Sequence, residues 1–264
     1  MSKVVIDKSF GRKAFGLDPA GYHAARPAYP EWIYELLYER CGLRQNVATF
    51  EIGAGTGIAT RRLLELGANP LVAIEPDDRL ADFLCETIQS DALMVIRSSF
   101  EDAILPGAGF DLGLSATAFH WLDEETALAK VASLLKPDGW WVMVWNEFGD
   151  PDRADPFHEA TKVLLNGSSV SLMGNDVSFA QDKAARLAAL EHTQAFDRIE
   201  HRTSAWSLVL DPDQVVNLYA TYSNINIRPD RESILAELCR IARDEFNGWV
   251  TRNMTTSLYI ARRR

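Results

Sequence analysis

Phe50-Glu-Ile-Gly-Ala-Gly-Thr-Gly-Ile58 is the stretch on which the reading of this chain turns. Three glycines alternate with other residues, directly after the β-rich run VATFEI (47–52) and directly before a helical pattern from Gly57 to Leu66. A glycine turn between a parallel strand and a helix lets a ligand approach the backbone closely and presents the helix's first N–H groups to it. A phosphate loop needs Gly-Lys-Ser/Thr at its end, and here Ile58 follows Gly57. A dinucleotide fingerprint, G-x-G-x-x-G, needs its third glycine where Ile58 stands. A tight turn that binds nothing is the plain alternative.

Outward from this stretch, strands and helices alternate. LVAIEP (71–76), ALMVIR (92–97), FDLGLSA (110–116) and WWVMVW (140–145) are apolar and strand-like. Between them Leu80, Phe83, Leu84 and Ile88 share a helical face, and Glu124–Lys136 has helical spacing. The helices break at Leu66-Gly-Ala-Asn-Pro70 and Lys136-Pro-Asp-Gly139. Apolar strands without clean alternation, each followed by a helix, predict a parallel sheet covered on both faces. Beyond Trp145 the rhythm fails. Residues 157–165 and 181–192 read as helices, 166–178 as loop, 198–210 as a long strand, Asp211-Pro-Asp as a helix start, and 254–263 as a final strand.

Other motifs select among the readings of the turn. Glu75 ends the second strand, where a carboxylate can accept hydrogen bonds from both hydroxyls of a ribose. Acid, apolar residue, G-x-G-x-G, then an acid ending the next strand resembles the class I S-adenosylmethionine-dependent methyltransferases. Tyr22-x-x-x-Arg26-Pro-x-Tyr-Pro30, Ser98-Ser-Phe-Glu-Asp102, Ser115-Ala-Thr-Ala-Phe-His-Trp121 and Leu135-Lys-Pro-Asp-Gly-Trp140 follow in that family's order. They are similar to a small-molecule subfamily grouped with the quinone-biosynthesis and trans-aconitate methyltransferases. Gly113 stands where a larger apolar strand residue is usual.

The resemblance implies an α/β, three-layer Rossmann-like fold. Its seven-stranded, mostly parallel sheet would have the order 3-2-1-4-5-7-6, an antiparallel last strand and a helical insertion. Residues 1–264 would be a single methyltransferase domain, with 15–147 the cofactor-binding core, 148–195 an insertion or cap, and 196–264 the C-terminal strands and helices. It implies S-adenosyl-L-methionine as cofactor and S-adenosyl-L-homocysteine as product, with Gly53, Ala54, Gly55, Thr56 and Gly57 beneath the methionine part. Glu51 would help hold the ammonium, Glu75 the ribose, and Pro76 the adenine edge, while Asp77 would mainly cap the next helix. Ser99, Phe100 and Glu101 would border the adenine, with the Phe100 ring either a contact or a core plug. Ser115 and Ala116 would line the cleft at the carboxyl ends of the strands. Tyr22 and Arg26 would meet the cofactor's amino-acid end.

His120 is the candidate base or orienting residue for an acceptor hydroxyl, and His120, Trp121, Trp206 and Tyr222 are candidate substrate contacts. Methyl transfer asks mainly for alignment, so no catalytic dyad is required. The expected reaction is methylation of a small organic acceptor, preferably at oxygen. The competing readings are an NAD-dependent oxidoreductase and a non-catalytic S-adenosylmethionine-binding protein.

Composition narrows the partners. The net charge of −10 argues against nucleic acid and anionic membranes. Cys41, Cys85 and Cys239 are few and unpaired in spacing, which suggests reduced thiols in a cytoplasmic protein; no metal-ligand cluster is visible. No run has signal-peptide or membrane-span character. A monomer or homodimer acting on a small molecule is the expectation.

Overall fold

The structure, a computed structural model, describes residues 14–150, 152–165, 178–226 and 228–264. The segment read as a loop lies almost wholly outside them. The described residues fall into two compact units: Ala28–Trp145 with Val177–Thr203 and Thr256–Arg264, and Asn146–Asp176 with Ser204–Thr255 and the chain up to Pro27.

Helices α1 (Pro19–Ala25) and α2 (Glu31–Arg40) precede the alternating region. There β1 (Val47–Ile52), α3 (Ile58–Glu65), β2 (Ala68–Ile74), α4 (Asp78–Thr87), β3 (Leu93–Ile96), β4 (Phe110–Ala116), α5 (Glu124–Leu134) and β5 (Leu135–Phe148) follow one another. Then come α6 (Pro156–Leu165), α7 (Lys183–His192), β6 (Phe196–Leu210), α8 (Pro212–Tyr219), α9 (Ser223–Asn226), α10 (Arg231–Asp244) and β7 (Val250–Arg263). The seven-stranded sheet has the order β3-β2-β1-β4-β5-β7-β6, mostly parallel with an antiparallel last strand, as the resemblance implied. The pairs β2–β3, β1–β2, β1–β4 and β4–β5 are parallel.

Period-two alternation sends neighbouring strand residues to two different cores. Trp141, Met143, Trp145 and Tyr259 join one, with Phe50 and Phe119. Trp140, Val142, Val144 and Leu258 join the other, with Ile33, Leu37 and Leu63. In the first core, Phe50 meets Phe110 edge-on at 5.2 Å and stacks with Trp141 at 6.0 Å. This accounts for Gly113: a Cβ there would lie 2.3 Å from the Phe50 ring, so the ring occupies the space a larger residue would fill.

One expectation is corrected. Lys136-Pro-Asp-Gly139 is the beginning of β5, not a break before it. The pairing moves from Phe110↔Leu135 to Leu112↔Trp140, and this register shift accommodates the proline and the glycine within the strand. The second unit has its own core, built from Phe157, Val215, Leu218, Tyr219, Leu238 and Val250 among others. Its helix α8 starts with a reciprocal cap, in which the Gln214 N–H donates to Asp211 Oδ1 at 2.8 Å and the Asp211 N–H to Gln214 Oε1 at 3.0 Å.

Candidate functional site

The glycine turn hangs from the ends of two neighbouring strands. The N–H groups of Gly53 and Ala54 both donate to the Ile74 carbonyl at the end of β2, at 2.9 and 3.2 Å. Gly53, Gly55 and Gly57 have φ of 68, 57 and 83°, the left-handed region where a side chain is strained. Their surroundings differ. A Cβ on Gly53 would lie 2.4 Å from that of Ala118, whereas one on Gly55 would meet nothing within 4 Å. Gly53 therefore serves packing, and Gly55 leaves open ground above the turn. Ala54 packs with Ala73, Leu84 and Ile88, and Thr56 is buried.

Two carboxylates flank the turn. Glu51 is 1% exposed, and its Oε2 accepts a 2.6 Å hydrogen bond from the Thr60 hydroxyl. Glu75 is 4% exposed; its Oε2 accepts from the Gly55 N–H at 2.8 Å and its Oε1 from the Asp77 N–H at 2.9 Å. Burial pushes Glu51 up to about 8 and Glu75 up to about 7, against hydrogen bonds that pull both down. Each Glu75 oxygen spends one acceptor position on the backbone and retains another, so the carboxylate can take a pair of hydroxyl donors. Pro76 is exposed beside it. Asp77 caps α4, accepting from the Arg79 N–H at 3.0 Å and from its guanidinium at 3.0 and 2.7 Å. Burial pushes Asp77 up, but the Arg79 hydrogen bonds outweigh it and hold the carboxyl below its usual range.

After β3, the Ser99 hydroxyl donates to Asp102 at 2.7 Å and closes a local turn, with exposed Glu101 in the same turn. Of the two roles open to the Phe100 ring, the structure shows the core one. The ring is 3% exposed, stacks on Phe50 and lies under the Lys130 ammonium, 4.9 Å from its centroid. At the end of β4 the Ser115 side chain is fully buried and donates to the Ile52 carbonyl at 3.1 Å, so it ties two strands together; Ala116 beside it is half-buried. His120 and Trp121 follow in a short turn, both half-buried, with ring centroids 4.9 Å apart.

Tyr22, Arg26, Trp206 and Tyr222 belong to the second unit. There the Arg26 guanidinium lies between the Tyr22 and Tyr222 rings, at 5.1 and 5.0 Å, and donates to the Thr221 carbonyl at 3.3 Å. Among the described residues, the buried Arg26 Nε and Tyr222 hydroxyl have no hydrogen-bond partner. Trp206 is half-buried, and its carbonyl accepts from Arg153 at 2.7 Å.

Several pairings at the site carried no signal in the sequence, although Thr117 itself lies in the Ser115–Trp121 motif expected to line the cleft. Thr60 is the partner of Glu51. Thr117 has φ of 55°, costly for a β-branched residue, and is held by its N–H to Val144 at 2.7 Å and by the Tyr29 hydroxyl at 2.8 Å. Trp145, read only as a strand residue, donates its indole N–H to His120 Nδ1 at 3.1 Å. Partners this far apart in the chain leave no periodicity to read.

Residues 50–143 match the family described as a methyltransferase domain. An uncharacterized methyltransferase-like protein of Schizosaccharomyces pombe is 28% identical over 234 residues, covering 88% of this chain and 86% of that one. An uncharacterized methyltransferase of Mycobacterium bovis is 26% identical, covering 80% and 76%. Among solved structures, phosphoethanolamine N-methyltransferase 2 of Haemonchus contortus, bound to S-adenosylhomocysteine, superposes with a TM-score of 0.62 at 12% identity, covering all of this chain and 61% of that one. The [4+2]-cyclase SpnF superposes with 0.54 at 15% identity, covering 90% and 84%.

Proposed function

We propose that the chain, whose residues 50–143 match a methyltransferase domain, belongs with the class I S-adenosylmethionine-dependent methyltransferases and moves a methyl group from S-adenosyl-L-methionine to an oxygen of a small organic molecule. One observation carries the cofactor assignment: the Glu75 carboxylate is tied to Gly55, beside which the turn leaves open space. The residues fit the group. Gly53–Gly57 would pass beneath its amino-acid part, Glu75 would accept from the ribose hydroxyls, and Glu51 would offset the ammonium. When bound, the cofactor supplies a sulfonium methyl that is electrophilic without further activation. The protein's share is to orient the acceptor and exclude water, which lowers a barrier by up to roughly 7–11 kcal/mol in ideal cases.

Ser99, Glu101 and the Phe100 backbone remain the proposed border of the adenine. Tyr22 and Arg26 remain candidate cofactor contacts on the strength of their motif, and Trp206 and Tyr222 remain candidate substrate contacts as aromatic residues of the C-terminal part. The same reading takes residues 1–264 as one working domain, in a cytoplasmic monomer or homodimer without nucleic-acid or membrane partners. The fold by itself decides neither the acceptor nor the chemistry, since a cyclase shares it. Neither nicotinamide chemistry nor a purely binding role gains support from the comparisons.

Isothermal calorimetry tests the assignment. S-adenosylhomocysteine should bind the wild-type protein, and Glu75→Ala should weaken binding at least tenfold. Equal affinity in the variant, or no binding by wild type, contradicts it.

A further inference from the structure

His120 is the one imidazole the sequence offers for proton transfer near the mouth of the sheet, and its hydrogen bonding fixes what it can do there. Its turn is anchored by Phe119, which is fully buried and packs on Trp141 at 5.3 Å. Trp145, on the adjoining strand β5, is 3% exposed and wedged between Phe179 at 5.6 Å and Tyr259 at 6.2 Å. Phe179 is itself held by Arg186, whose guanidinium lies 3.5 Å from the ring centroid and donates to the Phe179 carbonyl at 3.1 Å. Arg186 is paired in turn with Glu124 at 2.8 Å. The indole therefore has one direction in which to present its N–H, and His120 Nδ1 receives it.

An indole nitrogen only donates. Nδ1 must then carry a lone pair, and the single proton of the neutral ring resides on Nε2. Protonating Nδ1 would set two N–H groups against each other and leave a buried indole N–H without an acceptor. Around this cluster Arg186 and Glu124 are engaged with each other, and His201 stacks on Tyr259 at 4.4 Å.

We infer that Trp145 is a positioning residue that locks His120 as its Nε2–H tautomer, so that His120 meets a methyl acceptor as a hydrogen-bond donor and not as a general base. The inference rests on the methyl-transfer reading only for what the acceptor must be. Its nucleophile has no proton for His120 to remove, as with an oxygen anion already formed at neutral pH. A lone pair of that oxygen makes the new O–C bond, the S–C pair stays on sulfur, and the two charges cancel with no proton transferred.

Two-bond proton–nitrogen correlation NMR on the full chain labelled with ¹⁵N-histidine tests this without cofactor or acceptor. His120→Gln assigns the signal among the five histidines. In wild type at neutral pH, His120 should show a bare Nδ1 and a protonated Nε2; in Trp145→Phe it should average between tautomers. A wild-type His120 protonated on Nδ1 or already averaged overturns the inference, as does an unchanged tautomer in Trp145→Phe. If that variant does not fold, the wild-type spectrum alone decides. Failure here leaves the calorimetric test of cofactor binding untouched, and the reverse holds equally.

Discussion

Two buried polar clusters in this molecule are built on opposite electrostatic logic. In the helical unit, the Arg252 guanidinium is nearly inaccessible. It donates to Asp155 at 2.8 Å and to the Tyr219 hydroxyl, and it faces the rings of Phe148, Phe157 and Tyr219 at 5.4, 5.9 and 5.6 Å. At the glycine turn, Glu51 and Glu75 are as deeply buried, yet the hydrogen bonds found there come from a hydroxyl and two backbone amides. The first cluster is neutral within itself and reads as architecture. The second holds two carboxyls away from their ionised state chiefly by burial, with the Glu75 charge adding to the effect on Glu51 and the Asp77 charge to that on Glu75, the arrangement expected where donors and positive charge arrive with a ligand.

The contrast breaks most visibly when the compensated pair is cut. Asp155→Ala strands a buried guanidinium and should cost about 3–5 kcal/mol, read by urea unfolding. Replacing both partners by apolar residues of similar volume should recover most of that loss. A single variant that unfolds with the wild type would mean the pair is not what holds Arg252.

Gly113→Ala comes next. Its methyl group has nowhere to go against the Phe50 ring, and overpacking of this kind costs about 1–3 kcal/mol. Stability should fall while affinity for S-adenosylhomocysteine, measured on the folded protein, stays within about twofold. A loss of affinity larger than the loss of stability would show that the aromatic core also shapes the site.

The smallest effect concerns Glu51 and has a defined sign. A carboxyl raised from its ordinary value of 4.5 stays protonated in the folded chain where the unfolded chain has released its proton. The folded state then binds more protons, so this contribution to stability is full below about 4.5, declines as pH rises through the interval and levels off above about 8. Glu51→Gln keeps an acceptor for Thr60 and removes the titration. It should therefore stabilise the ligand-free protein at pH 8 by on the order of 1 kcal/mol, much less at pH 5, and bind S-adenosylhomocysteine more weakly. Chemical unfolding at the two pH values checks it; a variant less stable than wild type at pH 8 would place Glu51 among the structural groups.

How much of this was legible beforehand follows the range of the interactions. The glycine turn, Glu75 and the succession of strands and helices lie in local motifs and a regular alternation, and the sequence displays both; the strand order was implied only by the family resemblance those motifs carry. Strand β5 was read too short because Pro137 and Gly139 are breaking residues whose cost is absorbed only by a register shift against β4, which local propensity does not show. The Phe100 ring could be placed in the core only once Phe50 and Lys130 were seen around it. The pairs Thr60–Glu51, Tyr29–Thr117 and Trp145–His120 join residues 9, 88 and 25 positions apart. No period or motif links them; the fold alone brings them together.

The proposed function depends most on where a sulfur-bearing nucleoside would lie. A crystal structure with S-adenosylhomocysteine should place its ribose hydroxyls on the two Glu75 oxygens, with the homocysteine chain over Gly55. A ribose bound elsewhere, or that ground left empty at saturating ligand, would contradict it.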